Sequence, residues 1–226
     1  MSQKIRIAID GPGGAGKSTI AKNVAKALCV DYIDTGAMYR AVAYKIRSQN
    51  INLKDQEALE KILDTTEIDF IEGNIVLDGE VLNDEIRTPE ISRLASDSAA
   101  LYIVREKLVA IQRKLGQKKS VIMDGRDIGT NVLTDAEFKF FMTASKEERA
   151  KRRHAELKEK GQDQSYSQVL EEITARDQSD MTRALNPLLK ADDAILLDTT
   201  NLSIEEVTEE IIKIVKGEKD GNSKGI

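Results

Sequence analysis

The residues Gly11, Gly16, Lys17 and Ser18 stand at the spacing G-x-x-x-x-G-K-[ST]. That spacing makes a loop whose backbone N–H groups close around a polyphosphate. Glycines are needed because the chain must adopt positive φ and approach the anion closely. Lys17 would sit on the β- and γ-phosphates, and the Ser18 hydroxyl would ligate Mg²⁺. The full loop runs Gly11, Pro12, Gly13, Gly14, Ala15, Gly16, Lys17, Ser18, Thr19. A nucleoside triphosphate is the expected ligand and Mg²⁺ its companion.

Elements of two kinds must flank such a loop. The apolar run Ile5–Ile9 supplies the strand before it, and Ile20, Val24 and Leu28 at i, i+4, i+8 supply the helix after it. The helix would turn its unpaired N–H groups and positive dipole end toward the anion. Short apolar runs at 5–9, 30–34, 121–124, 138–142 and 194–198 alternate with helical patterns. This is the signature of an α/β fold, a five-stranded parallel sheet with helices on both faces. Ser145-x-x-Glu148 and Ser203-x-x-Glu206 predict capped helix starts, and Gly116, Gly161 and Gly217 predict helix ends.

Residues 66–87 break the alternation. Asp78-Gly79 between apolar runs predicts a hairpin, hence a small antiparallel β insert between helices at about 55–64 and 89–115. Thr88-Pro89 predicts the cap of the second helix. One domain over 1–217 is expected: a core (about 1–54, 116–144, 185–217), an insert (about 55–115) and a helical lid (about 145–184). Residues 218–226 are expected to be a flexible tail.

Further chemistry gathers where strands end. Ligands in open α/β sheets bind beyond the carboxyl ends of strands. The second strand runs into Asp34 and then Arg40, and the third into Asp124, Arg126 and Asp127. An acid closing a buried strand suggests a carboxylate that orients Mg²⁺, so Asp124 is the candidate, acting through water. Arg149, Arg152 and Arg153 lie on a capped helix; a phosphoryl-transfer lid needs such arginines, although a charge run also suits a solvated face. Arg176 and Arg183, seven apart, share one helical face. His154, the single histidine, is assigned no catalytic part.

The chain of 226 residues carries a net charge of −5, which gives no general pull toward nucleic acid or an anionic membrane. Any anion site must be local. Arg40, Arg126 and Arg183 exceed what one polyphosphate needs and suggest a second, phosphorylated substrate held by guanidinium pairs. One cysteine, Cys29, excludes an internal disulfide and is read as a small core residue. No run approaches the ~20 apolar residues of a membrane span, and a cytoplasmic protein is expected. The residues alone leave open a kinase for UMP, another nucleotide or shikimate. A GTPase switch lacks its Asn-Lys-x-Asp tetrapeptide here. A mere nucleotide sensor would not need so many acceptor-side arginines.

Taken together, IDGPGGAGKST at 9–19, DTGAMYR at 34–40, EIRTPE at 85–90, DGRDIGT at 124–130, SKEERAKRR at 145–153, ARDQSDMTR at 175–183 and PLLKADDAILLDTTNLSIEEV at 187–207 are specific. The chain resembles the bacterial cytidylate kinases, nucleoside monophosphate kinases of the P-loop class. The resemblance covers nearly the whole chain. It implies transfer from ATP to CMP or dCMP, a monomer, and an insert larger than in other monophosphate kinases. It implies that Gly11–Thr19 bind the ATP phosphates and that Arg40, Arg126 and Arg183 hold the CMP phosphate. Arg176 and Asp180 would contact the ribose hydroxyls. Ser96, Arg105 and Asp127 would read cytosine, Asp127 accepting from its amino group. Thr35 stands where some members have serine, so the hydroxyl is kept. Lys17, Arg126, Arg183, Arg149 and Arg153 are the expected catalytic set.

Overall fold

The computed structural model describes residues 4–71, 73–159 and 161–217. The expected tail, 218–226, lies outside the described residues. Strands β1 (Arg6–Asp10), β2 (Asp31–Asp34), β6 (Val121–Gly125), β7 (Phe138–Thr143) and β8 (Ile195–Asp198) form one parallel sheet in the order β2-β6-β1-β7-β8. The five expected runs are these strands. Their apolar character follows from burial on both faces. Ile7 and Ile9 point to one core with Ile20, Val24, Phe140, Val207 and Ile211, beneath helices α1 (Lys17–Leu28) and α8 (Ile204–Lys216). Ala8, Ile33, Val121 and Met123 point to the other, with Met38, Val42 and Leu108 from α2 (Thr35–Ser48) and α5 (Tyr102–Lys118).

The insert is a second, three-stranded antiparallel sheet, β3 (Ile68–Ile71), β4 (Asn74–Leu77) and β5 (Glu80–Val81). Asp78 (φ 51°) and Gly79 (φ 87°) both take positive φ in its turn, as the Asp-Gly pair predicts. Lys45 of α2 donates to the Thr65 carbonyl at 3.0 Å and pairs with Asp78, which ties the insert to the core. Helix α3 (Gln56–Asp64) precedes the insert.

The expected helix at 89–115 is two helices. α4 (Pro89–Ser98) starts at the Thr88 cap, and α5 starts after a break at Ala99–Leu101. Nothing in Ser-Ala-Ala-Leu marks a break. Tertiary structure makes it: Arg105 Nη1 takes the freed Ala99 carbonyl at 3.1 Å. Gly116 does not end a helix. It lies inside α5, where an added Cβ would stand 2.6 Å from Leu133 Cδ2, so it is a close-packing glycine. Gly161 and Gly217 do take the left-handed φ of helix ends. Ser203 forms a full capping box on α8, and Ser145 accepts from the Glu148 N–H. Cys29 is exposed rather than core, because it caps α1 in a left-handed conformation as the chain turns outward.

Helices α6 (Lys146–Glu159) and α7 (Tyr166–Thr182) pack on each other through Ala150, Leu157, Val169 and Leu170. No helix among the described residues is long and apolar enough to cross a membrane.

Candidate active site

Parallel register brings three strand ends together. Asp10 lies beside Gly125, and Asp34 lies beside Asp124. β1 sits between β6 and β7, so the loop after it opens at the crevice where chain direction across the sheet reverses. Gly11 (φ 148°), Gly14 (φ 77°) and Gly16 (φ 86°) turn that loop. A Cβ on Gly11 would be driven into the Met142 carbonyl of β7. Gly11→Ala should therefore cost about 3 kcal/mol or more of stability, read as a lowered urea midpoint. A midpoint equal to the parent's would refute this packing argument.

Gly16 caps α1 with no side-chain acceptor, and the first turn of α1 carries no acid. Its N–H groups are left for an anion. Lys17 is buried and donates to the Pro12 carbonyl at 2.7 Å. Its ammonium is pushed down to about 7, first by burial and then by the Arg126 guanidinium.

Asp124 closes β6 and is buried. Its Oδ2 accepts from Ser18 Oγ at 2.8 Å and its Oδ1 from the Tyr32 hydroxyl at 2.8 Å; its carbonyl accepts from Thr35 Oγ1 at 2.6 Å. Burial, reinforced by the nearby Asp34 carboxylate, raises the Asp124 carboxyl. A hydroxyl and a carboxylate in contact offer the hard oxygens that Mg²⁺ takes. No cluster of three or more His, Cys, Asp or Glu able to hold a metal exists among the described residues. This donor set fits a Mg²⁺ that keeps waters and phosphate oxygens, not one caged by protein alone.

The arginines converge opposite the loop. Arg126 Nε pairs with Asp180 Oδ2 at 2.7 Å. Arg40 pairs with Asp34 at 3.1 Å and its Nε is buried without a hydrogen bond. The Arg176 side chain makes no hydrogen bond among the described residues. It is exposed, with the Arg126, Arg40 and Arg153 guanidiniums near enough to repel it. Arg126 and Arg176 crowd Lys17 with like charge, which phosphate oxygens placed between them would relieve.

Beside it, Asp127 is held on every side. Arg105 Nη2 donates to both its oxygens at 2.8 Å, Arg183 Nη2 to Oδ1 at 3.2 Å, and Asn131 Nδ2 to Oδ2 at 3.1 Å. The Arg105 guanidinium lies 5.6 Å over the Tyr39 ring. The Tyr39 hydroxyl and Arg105 Nε are buried without hydrogen-bond partners. Ser96 is half-buried on α4. Arg183 reaches the site differently from its expected helical face. α7 ends at Thr182, and Arg183 follows it in extended conformation, its Nε donating to the Asn186 carbonyl at 2.8 Å.

A phosphate loop thus faces an arginine cluster and a clamped Asp127–Arg105 pair. The cytidylate kinase family model matches residues 7–217. The chain belongs to the cytidylate kinase family. It is 54% identical to the cytidylate kinase of Caldicellulosiruptor saccharolyticus over 216 residues, covering 94% of this chain and 96% of that one. It is 53% identical to the cytidylate kinase of Bacillus velezensis over 220 residues, covering 96% and 98%. Among solved structures, an uncharacterized protein from Eubacterium ventriosum aligns with TM-score 0.52 at 17% identity, covering 95% of this chain and 99% of that one. That likeness shows the fold alone.

In this cytidylate kinase family member the three arginines of α6 differ in surroundings. Arg149 is buried. Its Nη2 pairs with Asp177 at 2.6 Å, Nη1 donates to the Gly13 carbonyl at 3.0 Å, and Nε to the Ala144 carbonyl at 3.0 Å. It joins the phosphate loop to α6 and α7. Arg152 is turned toward the Thr199 carbonyl at 2.7 Å. Arg153 is part-exposed and pairs with Glu156 at 2.8 Å. His154 packs edge-on to Tyr166. Sequence reasoning passed over Tyr32, Asn131, Asp177 and Asp10. Asp10 is buried and accepts from Ile128 N at 2.8 Å and Gly129 N at 2.7 Å. Burial raises its carboxyl to about 6. The signal that singled out Asp124, an acid closing a buried strand, applies equally to Asp10.

Proposed function

We propose that the protein transfers the γ-phosphoryl group of ATP to the phosphate of CMP or dCMP, giving ADP and CDP or dCDP. One observation carries this reading: Arg126 and Arg176 stand against the phosphate loop at Gly13 and beside Lys17, next to the buried Asp127–Arg105 pair. Gly11 to Thr19 take the ATP phosphates. Arg40, Arg126 and Arg183 take the acceptor phosphate, while Arg176 and Asp180 take the ribose. Ser96, Arg105 and Asp127 read cytosine, and Thr35 braces the Asp124 backbone beneath them.

Reaction forms a bond from an acceptor phosphate oxygen to the γ-phosphorus, and the bond to the β,γ-bridging oxygen breaks. Little covalent help is needed; alignment and charge carry it. Lys17, Arg126 and Arg183 neutralise the transferring group, and Arg153 approaches it from α6. Arg149 holds the loop against α6 and α7. Mg²⁺ bound at Ser18, with Asp124 acting through water, would screen the phosphate charges. We assign the core, insert and lid to 1–54 with 116–144 and 185–217, to 55–115, and to 145–184; the lid excludes water, which would otherwise hydrolyse ATP. The proposed setting is the cytoplasm, as a monomer.

The test is ADP release with Mg-ATP and a panel of monophosphates. CMP and dCMP should exceed UMP by about a hundredfold or more, with AMP and GMP near background. Equal rates with CMP and UMP would sink the cytosine assignment. Turnover of shikimate in place of CMP would replace the acceptor altogether.

A further inference from the structure

Asp127 begins the π-helical turn Ile128–Val132 in the capping position, yet its side chain makes no cap hydrogen bond. An aspartate there ordinarily accepts from the first N–H groups of its own turn. Here the first two of those donors are already taken. Asp10, from the end of β1, accepts from Ile128 N at 2.8 Å and Gly129 N at 2.7 Å. Gly129 leaves room for this approach: an added Cβ would stand 3.4 Å from Asp10 Oδ2 and 3.2 Å from Lys139 Cδ. Asp10 thus does from across the sheet what Asp127 would do locally, and the Asp127 carboxylate is free to meet Arg105, Arg183 and Asn131.

We propose that Asp10 is a positioning residue for acceptor selection, capping the Ile128–Val132 turn so that the Asp127 carboxylate faces the acceptor base instead of its own backbone. This rests on the reading of Asp127 as the cytosine acceptor. Asp10 immediately precedes Gly11, so one carboxylate fixes both the root of the donor loop and the segment that reads the acceptor. Without it, the orphaned N–H groups draw the Asp127 side chain back onto its own turn. An asparagine at position 10 keeps the volume and accepts one N–H but sets an amide donor against the other.

The test is a double-mutant cycle on Asp10→Asn and Asp127→Asn, read as the ratio of kcat/KM for CMP to that for UMP at saturating ATP. Asp10→Asn should lower the ratio by about tenfold or more and raise KM for CMP more than KM for ATP. The double variant should show the ratio of Asp127→Asn alone, because Asp10 acts through Asp127. If Asp127→Asn lowers the ratio and Asp10→Asn leaves it in place, or if the two effects multiply, the positioning role is overturned while the cytosine reading stands. If Asp127→Asn itself leaves the ratio unchanged, the cytosine reading fails and takes this role with it. Should Asp10→Asn not fold, Asp10→Ser leaves a smaller acceptor that cannot serve both N–H groups and should lower the ratio in the same direction; an unchanged ratio there overturns the proposal.

Discussion

Lys17→Ala should lower kcat by about three orders of magnitude while the protein stays folded. The side chain is buried at the root of α1, among Arg126 and Arg176, and its one hydrogen bond goes to the Pro12 carbonyl. A lysine contributing to a core would not be left so poorly compensated. Its charge is pushed down to about 7, chiefly by burial, because the anion that would stabilise it is the substrate. The sign follows for binding. Below pH 7 the ammonium is already charged and ATP binds without proton exchange. Above pH 7, binding must draw a proton onto Lys17, so ATP affinity should fall by up to tenfold per pH unit. For folding the sign is the reverse. The unfolded chain keeps this proton up to the ordinary lysine range and the folded chain releases it near 7, so Lys17 makes stability rise with pH between those values and costs stability below them. Lys17→Ala should accordingly have a Tm at or above the parent's at pH 6.5, and its ATP affinity should lose the alkaline slope. Turnover within tenfold of the parent, or a collapse of Tm, would remove Lys17 from the chemistry.

The loop that holds this lysine was legible because its residues are dictated locally. Positive φ needs glycine, an anion needs free N–H groups, and the strand before it needs a continuous apolar run. The hairpin at Asp78-Gly79 was legible for the same reason. What the residues concealed depends on partners distant in the chain. The break between α4 and α5 carries no glycine or proline; it exists because Arg105 takes the Ala99 carbonyl on its way to Asp127. Gly116 reads as a helix end but answers to Leu133 across the interface. Cys29 reads as core because the helix stripe reaches it, but the chain has already turned outward there. The seven-residue spacing predicts Arg183 on one helical face with Arg176, but α7 stops one residue before it. Asp10 was hidden in plain view. Its chemistry lies 118 residues away, in the N–H groups of Ile128 and Gly129.

Asp127→Asn should reverse part of the base preference, which is a stronger signature than loss of activity. A carboxylate only accepts, so it suits the cytosine amino group and repels the uracil carbonyl at the same place. Asparagine offers an acceptor and a donor and can serve either base. We expect kcat/KM for CMP to fall and that for UMP to rise, changing their ratio by about a hundredfold. The rise with UMP is the decisive half, because damage to folding or alignment lowers both substrates together. Damage is a real competing effect. Arg105 donates to both carboxylate oxygens, and both side chains are buried. Truncation to alanine would strand that guanidinium at a cost of about 3–5 kcal/mol. Asparagine keeps one oxygen for Arg105 and the same shape, so selectivity can be read before stability fails. The weakest contact to the carboxylate, from Arg183 at 3.2 Å, is the one to yield when CMP arrives. On the proposed assignment Arg183 would then carry its charge from Asp127 to the acceptor phosphate and link recognition of the base to assembly of the transfer site. If CMP and UMP fall in equal proportion, Asp127 serves only to anchor Arg105 and Arg183, and base selection lies elsewhere.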